Sequence, residues 1–438
     1  MIINYFRVFT YLHNMLKSSY WNYEKLINLQ NKKLRYVVKY AYDNVFYYHN
    51  LFKMMNISPD QIKTKKDLNK IPITKKDDIR KNYENFISNG YKKNYLKTIS
   101  TSGSTGKPLF LKISQTEDEF RKAKHLRANI SIGQKPKDKW VVITSPHHFG
   151  SSTKIQRFFN IYVPVPISVF NDIETQRMMI EKLNPNILDG YSSSLYLIAK
   201  EFEKEKINSI RLKFLIGGAE LINYDSRKYI ENIFSAPFYD HYSCIEFGKV
   251  AWQCNEKDQY HIDSESLILE FLKDNEEVAD GETGEIICTS LFNFAMPLIR
   301  YAIGDLGIKS KDTCNCGRNL PLMKLIEGRT DSLLVLPNGR WISPRAFTVA
   351  ISTFEFYPYF DQFRIIQTKI NQFNILLKMK NNSYNENNLT QKLVNYLINT
   401  LSLNSYDVSI NVKFVDEIPL DKTGKLMMVI SELGKNKI

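Results

Sequence analysis

Long apolar runs are missing from this 438-residue chain. No stretch approaches the roughly 18 apolar residues that a membrane-spanning helix needs, so a transmembrane segment is not expected. The opening stretch, MIINYFRVFTYLHNMLKSSYWNYEKL, is aromatic but interrupted by polar residues. It offers no small-residue cleavage site and does not read as a secretory signal, so a cytoplasmic location is expected. Cysteine is scarce, at five residues, and reduced thiols are the plain expectation for such a chain. Internal repeats are absent, and so is any recognisable nucleic-acid-binding module. Acidic residues are in deficit, 46 against 60 Lys and Arg, which leaves a net charge of +14. That excess would suit a polyanion, an anionic membrane surface or an anionic substrate. The lysines are scattered, however, and short clusters such as Lys63-Thr64-Lys65-Lys66 and Tyr91-Lys92-Lys93 read as solvated faces, so no nucleic-acid partner is expected.

The 43% hydrophobic and 24% charged residues are those of an ordinary globular protein, long enough for two or three domains. Helical spacing of Leu26, Leu29, Val37, Ala41 and Val45 predicts a helix within 20–56. The amphipathic stretch before it would pack on its own domain or touch a membrane surface. Pro72 breaks the next helical run, and Thr74 can cap the one that follows. A helix at 116–131 precedes an apolar strand at 140–144. Helices at 173–183, 193–206 and 223–234 then alternate with strands at 186–189 and 212–216. Such alternation predicts α/β layers. From about 260 the pattern turns β-rich, with a Gly281-Glu282-Thr283-Gly284 turn. After Asp331 a smaller region follows, with strands at 363–367 and 373–379, a helix near 386–401 and a strand at 408–415. The expected fold is therefore α/β. A large region spans 1–330 with a β-rich subdomain at about 260–330, and a small α+β domain spans 331–438.

The densest chemistry lies in Thr101-Ser102-Gly103-Ser104-Thr105-Gly106-Lys107-Pro108. Glycines let backbone N–H groups turn toward an anion, hydroxyls add donors, and the lysine adds a mobile positive charge. Together these make a polyphosphate cradle. Only two residues separate Gly103 from Gly106, so this is not the common G-x-x-x-x-G-K-[ST] nucleotide loop. Taken alone, the stretch could also be an ordinary surface loop.

Five further segments fit one chemistry. Gly217-Gly218-Ala219-Glu220-Leu221 ends a predicted strand, where small residues let a flat ring approach the backbone. Tyr239-Asp240-His241-Tyr242-Ser243-Cys244-Ile245-Glu246 offers an aromatic face and a carboxylate. Pro297-Leu298-Ile299-Arg300-Tyr301 leads to Gly304-Asp305-Leu306, whose acid is suited to ribose hydroxyls. Gly328-Arg329-Thr330-Asp331 and Pro419-Leu420-Asp421-Lys422-Thr423-Gly424-Lys425 complete the series. In this order and spacing the six resemble the core motifs of the adenylate-forming superfamily of acyl-CoA synthetases, peptide-synthetase adenylation domains and luciferases. Tyr47-Tyr48-His49-Asn50-Leu51, Ile71-Pro72-Ile73-Thr74-Lys75 and Leu188-Asp189-Gly190-Tyr191-Ser192 are most similar to its phenylacetate–CoA ligase-like and capsule-biosynthesis branch. The resemblance runs from about residue 40 to 428.

The resemblance implies that a carboxylate attacks the α-phosphate of ATP, and that the resulting acyl-adenylate passes its acyl group to a nucleophile, with CoA as the leading expectation. It implies that Thr101, Ser102, Gly103, Ser104, Thr105, Gly106 and Lys107 hold the β- and γ-phosphates. Gly217, Gly218, Ala219 and Tyr242 would enclose adenine, with Tyr242 stacking on it, and Glu220 and Ser243 would also bind the nucleotide. Glu246 would coordinate Mg²⁺, Asp305 and Arg329 would meet the ribose, and Lys425 would bridge carboxylate and α-phosphate. Asp331 aligns with the hinge about which the small domain rotates, although Ser332 stands where many relatives carry a second Asp. His147 and His148 would line the carboxylate pocket or satisfy a local core. Cys254, His261, Cys314 and Cys316 could form a Cys₃His structural zinc site or remain metal-free thiols and a core histidine. Cys244 and Cys288 read as core residues. Alternatives to a CoA ligase are an enzyme of surface-polysaccharide biosynthesis with a carrier-protein or amine acceptor, and a non-catalytic nucleotide-binding scaffold. A homodimer stays open.

Overall fold

The computed structural model describes residues 3–100, 109–144, 146, 152, 154–169, 171, 173–207, 209–219, 222–256, 259–327, 334–338, 341–342, 347, 350–351, 354–380, 386–401, 403–404, 406–419 and 427–433. Among these, one twelve-stranded sheet dominates. From one edge it runs Glu276–Glu277, Leu267–Lys273, Thr283–Ser290, Tyr301–Ser310, Leu322–Glu327 and Tyr260–Ile262. It continues through Gly248–Gln253, Phe238–Cys244, Phe214–Gly218, Ile187–Tyr191 and Trp140–Thr144 to Pro164–Ser168. The last five strands are mutually parallel, as helix-connected strands must be. The others pair antiparallel. The β-rich stretch thus continues the α/β sheet in a single hydrogen-bonded order.

Apolar side chains explain the parallel half. Val141, Ile143, Leu188, Leu215 and Phe238 are buried against the helices Ile173–Leu183, Ser192–Lys204 and Tyr224–Phe234. The predicted strand at 140–144 and helix at 173–183 match the structure to the residue. The expected helix within 20–56 is instead two, Tyr23–Asn44 and Phe46–Met54. Val45 between them is extended (φ −123°, ψ 112°), while the Asn44 amide donates back to the Tyr40 carbonyl, 3.0 Å away. The apolar period survives that break because both helices feed the same core.

The helix Gln115–Ser131 is the frame of the site. Ser114 caps it, with Glu117 completing a capping box. Two cations on this helix, Lys124 and Arg127, are fully buried. They meet Asp263 and Glu265: Lys124 Nζ lies 3.0 Å from Asp263, Arg127 lies 3.0 Å from Glu265, and Arg127 also pairs with Asp263. Ser18 Oγ donates to Glu265 at 2.8 Å, which ties the amino-terminal helix Tyr5–Ser18 into the same network. Two buried positive and two buried negative charges compensate one another, and truncating one partner would strand the rest.

Beyond residue 333, the strands Ser409–Phe414, Gln372–Met379, Phe360–Lys369 and Val429–Ser431 form a four-stranded sheet. The helix Glu386–Thr400 covers it through Leu389, Leu393 and Leu397, giving a core distinct from those of the large sheet. Lys200 Nζ, on the helix Ser192–Lys204, meets Asp361 Oδ1 of this region at 2.6 Å.

Candidate active site

The strand Phe214–Gly218 ends in two glycines for a steric reason. A Cβ on Gly217 would fall 2.0 Å from the Phe238 ring, and one on Gly218 would fall 2.9 Å from the His241 carbonyl. Ala219 follows with φ +66°, a left-handed turn at the C-terminal end of the parallel strand. Ligands of open α/β sheets gather at such ends.

The neighbouring strand Phe238–Cys244 carries Tyr242, whose hydroxyl donates to Asp305 Oδ2 at 2.6 Å. These residues stand 63 positions apart in sequence, so the fold joins the aromatic and the acid that the motif reading treats separately. Burial first, then the neighbouring Asp305 carboxylate, pushes the Tyr242 hydroxyl well above its ordinary value, so it stays a donor.

Glu246 lies just beyond this strand and is buried. Tyr301 donates its hydroxyl to Glu246 Oε1 at 2.8 Å. Arg121, on the framing helix, donates to the carbonyls of Ile245 and Glu246 at 2.7 and 2.5 Å, and Asn293 Nδ2 reaches the Glu246 carbonyl at 3.2 Å. One carboxylate oxygen and the local backbone are thereby fixed, which suits a group that must present its other oxygen to a cation. Tyr301, Arg121 and Asn293 were not singled out by sequence reasoning. Their roles depend on contacts 55, 125 and 47 residues away, and no local pattern encodes those.

Several expected residues lie outside the described ones: Thr101, Ser102, Gly103, Ser104, Thr105, Gly106, Lys107, His147, His148, Glu220, Arg329, Asp331 and Lys425. The flanks of the Lys425 segment are described. Buried Arg364 donates to the carbonyl of Pro419 at 2.6 Å and to that of Met427 at 2.9 Å. One guanidinium therefore ties both ends of the segment that carries the lysine.

A second centre lies elsewhere on the sheet. Cys254 follows the strand Gly248–Gln253, His261 sits within Tyr260–Ile262, and Cys314 and Cys316 lie on the turn after Tyr301–Ser310. Their ligand atoms all lie within 4.8 Å of one another. Cys254 Sγ is 3.5 Å from Cys314 Sγ, and Cys316 Sγ is 3.3 Å from His261 Nε2. A tetrahedral zinc with Zn–S bonds of about 2.3 Å has edges of about 3.8 Å, so the set fits. Burial, helped by Arg318 and Arg127, lowers His261 to about 4, leaving a neutral imidazole suited to a metal. Cys288 is buried and Cys244 half-buried, both against the main core, as core residues should be.

With this geometry in hand, the relatives can be placed. The phenylacetate–coenzyme A ligase of Thermus thermophilus is 26% identical over 351 residues, covering 77% of this chain and 78% of the relative. That of Escherichia coli is 28% identical over 347 residues, covering 76% and 77%. Protein CapK of Staphylococcus aureus is 26% identical over 437 residues, covering 93% and 90%. Residues 334–432 match the family described as the CapK C-terminal domain. Among solved structures, 2-hydroxyisobutyryl-CoA ligase in the postadenylation state with 2-HIB-AMP overlays with a TM-score of 0.78 at 18% identity, covering 95% of this chain and 93% of that one. The same ligase in its thioesterification state gives 0.63. Over most of its length the chain is thus similar to phenylacetate–coenzyme A ligases and to CapK, and it shares the fold of an acyl-CoA ligase.

Proposed function

We propose that this chain is an AMP-forming ligase that activates a carboxylic acid with ATP and passes the acyl group to the thiol of CoA. The observation that carries the reading is the meeting of Tyr242 and Asp305 at 2.6 Å beside a Glu246 held by Tyr301, all at the C-terminal end of the parallel sheet. Tyr242 offers a ring to adenine, and the Asp305 carboxylate would accept from a ribose hydroxyl. Glu246 presents a carboxylate to Mg²⁺, which would neutralise charge on the phosphates. The loop 101–107 would cradle the β- and γ-phosphates, with Arg329 near the ribose. Lys425 would bridge the attacking carboxylate and the α-phosphate, its segment steadied at both ends by Arg364. Such groups act by positioning and by stabilising developing negative charge.

Asp331 would be the hinge between a large domain at 1–330 and a small one at 331–438. The better overlay on a postadenylation arrangement supports a small domain that takes more than one position. Zinc at Cys254, His261, Cys314 and Cys316 would join the strand that leaves the active site to the turn after Tyr301–Ser310. Its contribution would be folding free energy. ATP and CoA as substrates are consistent with a cytoplasmic enzyme.

A second reading changes only the acceptor. CapK matches over 93% of this chain, more than the phenylacetate–coenzyme A ligases do, and the small domain matches the CapK family. An acyl group destined for a polysaccharide, through a carrier protein or an amine, fits that kinship.

ATP–pyrophosphate exchange dependent on an acid and on Mg²⁺ tests the activation step. Lys425→Ala should reduce exchange about a hundredfold or more. Unchanged exchange in that variant would remove the lysine from the mechanism. Formation of acyl-CoA from ATP, acid and CoA then separates the two acceptor readings.

A further inference from the structure

Four parallel strands put their side chains on the face that looks toward the helix Gln115–Ser131, and that face changes character along its length. The pairings Trp140↔Ile187 and Ile187↔Phe214 form an apolar rung at the strand beginnings. One rung on, Val142, Asp189, Ile216 and Tyr239 lie abreast. At the C-terminal ends come Thr144 and then Tyr191, Gly218 and His241, the last three paired in series. Beyond an irregularity in register, Ser243 pairs with Lys249. From the helix, His125 stands over the start and middle of this face, stacked 5.3 Å from Trp140, with its Nε2 3.9 Å from Asp189. The face thus turns from apolar to polar where a ligand of such a sheet would sit.

Buried polar groups need partners, and this cluster does not satisfy its own. Lys249 Nζ lies 2.8 Å from His241 Nδ1. The ammonium can only donate, so Nδ1 accepts and the ring proton belongs on Nε2. His241 is 1% exposed, and its Nε2 has no hydrogen-bond partner among the described residues. Ser243 Oγ and His125 Nε2 are buried without one as well. Leaving such groups unpaired carries their full desolvation cost. Asp189 offsets the charge of Lys249, and burial holds both imidazoles neutral, well below their ordinary value. Neighbouring Tyr242 faces Asp305, so a single step along one strand separates the nucleotide side from this polar wall.

We propose that His241, Lys249 and Ser243 form the acyl subsite, and that it accepts a carboxylic acid whose chain carries an oxygen acceptor (a hydroxyl, carbonyl or second carboxylate). The inference rests on the ligase reading above and names the substrate class for that same site. An unsubstituted aryl or alkyl chain would leave the His241 Nε2 donor and the Ser243 hydroxyl buried against hydrocarbon. Rejection on that ground is strong, because the penalty falls on the site's own polar groups.

The test is ATP–pyrophosphate exchange with two panels, 3-hydroxybutyrate, 2-oxobutyrate and succinate against butyrate, hexanoate and phenylacetate, at equal concentration. The intact protein should exchange at least tenfold faster with a member of the oxygenated panel. His241→Phe and Lys249→Met keep volume but remove the donors, and each should lower the ratio of oxygenated to plain acid by tenfold or more. Because both acids are measured on one preparation, the ratio is insensitive to partial misfolding. Exchange led by butyrate, hexanoate or phenylacetate, or a ratio unmoved in both variants, overturns the subsite while leaving the ligase reading standing. Exchange with no acid of either panel overturns both.

Discussion

Tyr301→Phe removes the hydrogen bond to Glu246 in the core of the site. The Tyr301 ring is fully buried and packs edge-on against Phe247 with centroids 5.8 Å apart, contacts that phenylalanine keeps. What is lost is the hydroxyl that donates to Glu246 Oε1 at 2.8 Å. A hydrogen bond to a charged group is worth about 1.5–3 kcal/mol, a factor of about ten to a hundred in an equilibrium or a rate. Glu246 keeps its backbone anchors through Arg121 and Asn293, so the loop stays in place while the carboxylate gains rotational freedom. The expected outcome is a Mg²⁺ half-saturation raised about tenfold or more in ATP–pyrophosphate exchange, with rate partly restored at high Mg²⁺. Circular dichroism should remain that of the parent. If exchange in the variant follows the parental Mg²⁺ curve, Tyr301 does not position a metal-binding carboxylate. A loss that no Mg²⁺ concentration relieves would refute the same reasoning.

Arg364→Leu should lower exchange by about tenfold or more without changing ATP affinity in equilibrium binding, since the guanidinium donates to the carbonyls flanking the Lys425 segment. A parental rate would show that the segment orders itself without this anchor. Cys316→Ser should take zinc, measured by metal analysis of protein purified without chelator under reducing conditions, from near one equivalent to well below, and should lower the melting temperature by several degrees. A parental protein carrying no zinc refutes the site. Burial, against the pull of Lys249, raises the Asp189 carboxyl from 3.8 to about 6, so folding favours its protonated form. That contribution is complete below about pH 4 and is lost as pH rises through 6, at most about 3 kcal/mol. Asp189→Asn should therefore be increasingly more stable, relative to the parent, from pH 4 to pH 7 in urea titrations. Asp240, raised similarly, titrates in both proteins and drops out of the difference. A difference independent of pH would mean that Asp189 is ionised at no cost.

What the sequence made legible follows the range of the interactions involved. The strand at 140–144 and the helix at 173–183 are fixed by local periodicity, and both are found where expected. The break at Val45 was hidden because the buried residues on either side keep helical spacing. Tyr242, Asp305 and Glu246 were legible as members of motifs, each pattern being short and self-contained. Tyr301 stands in a motif, but its role, like those of Arg121 and Arg364, was not legible, because each acts on a residue or segment tens of positions away. The strand Phe238–Cys244 shows the limit most sharply. Its alternation sends Tyr242 toward Asp305 and His241 toward Lys249. Reading the stretch as a motif captures the aromatic and the carboxylate, which in the proposed function would serve the nucleotide. The histidine between them gains meaning only once the sheet register sets it beside Gly218 and the irregular pairing brings Lys249 to its ring. Groups that would handle the shared chemistry are written locally in this chain, whereas those that would choose the acid are written in the register between strands.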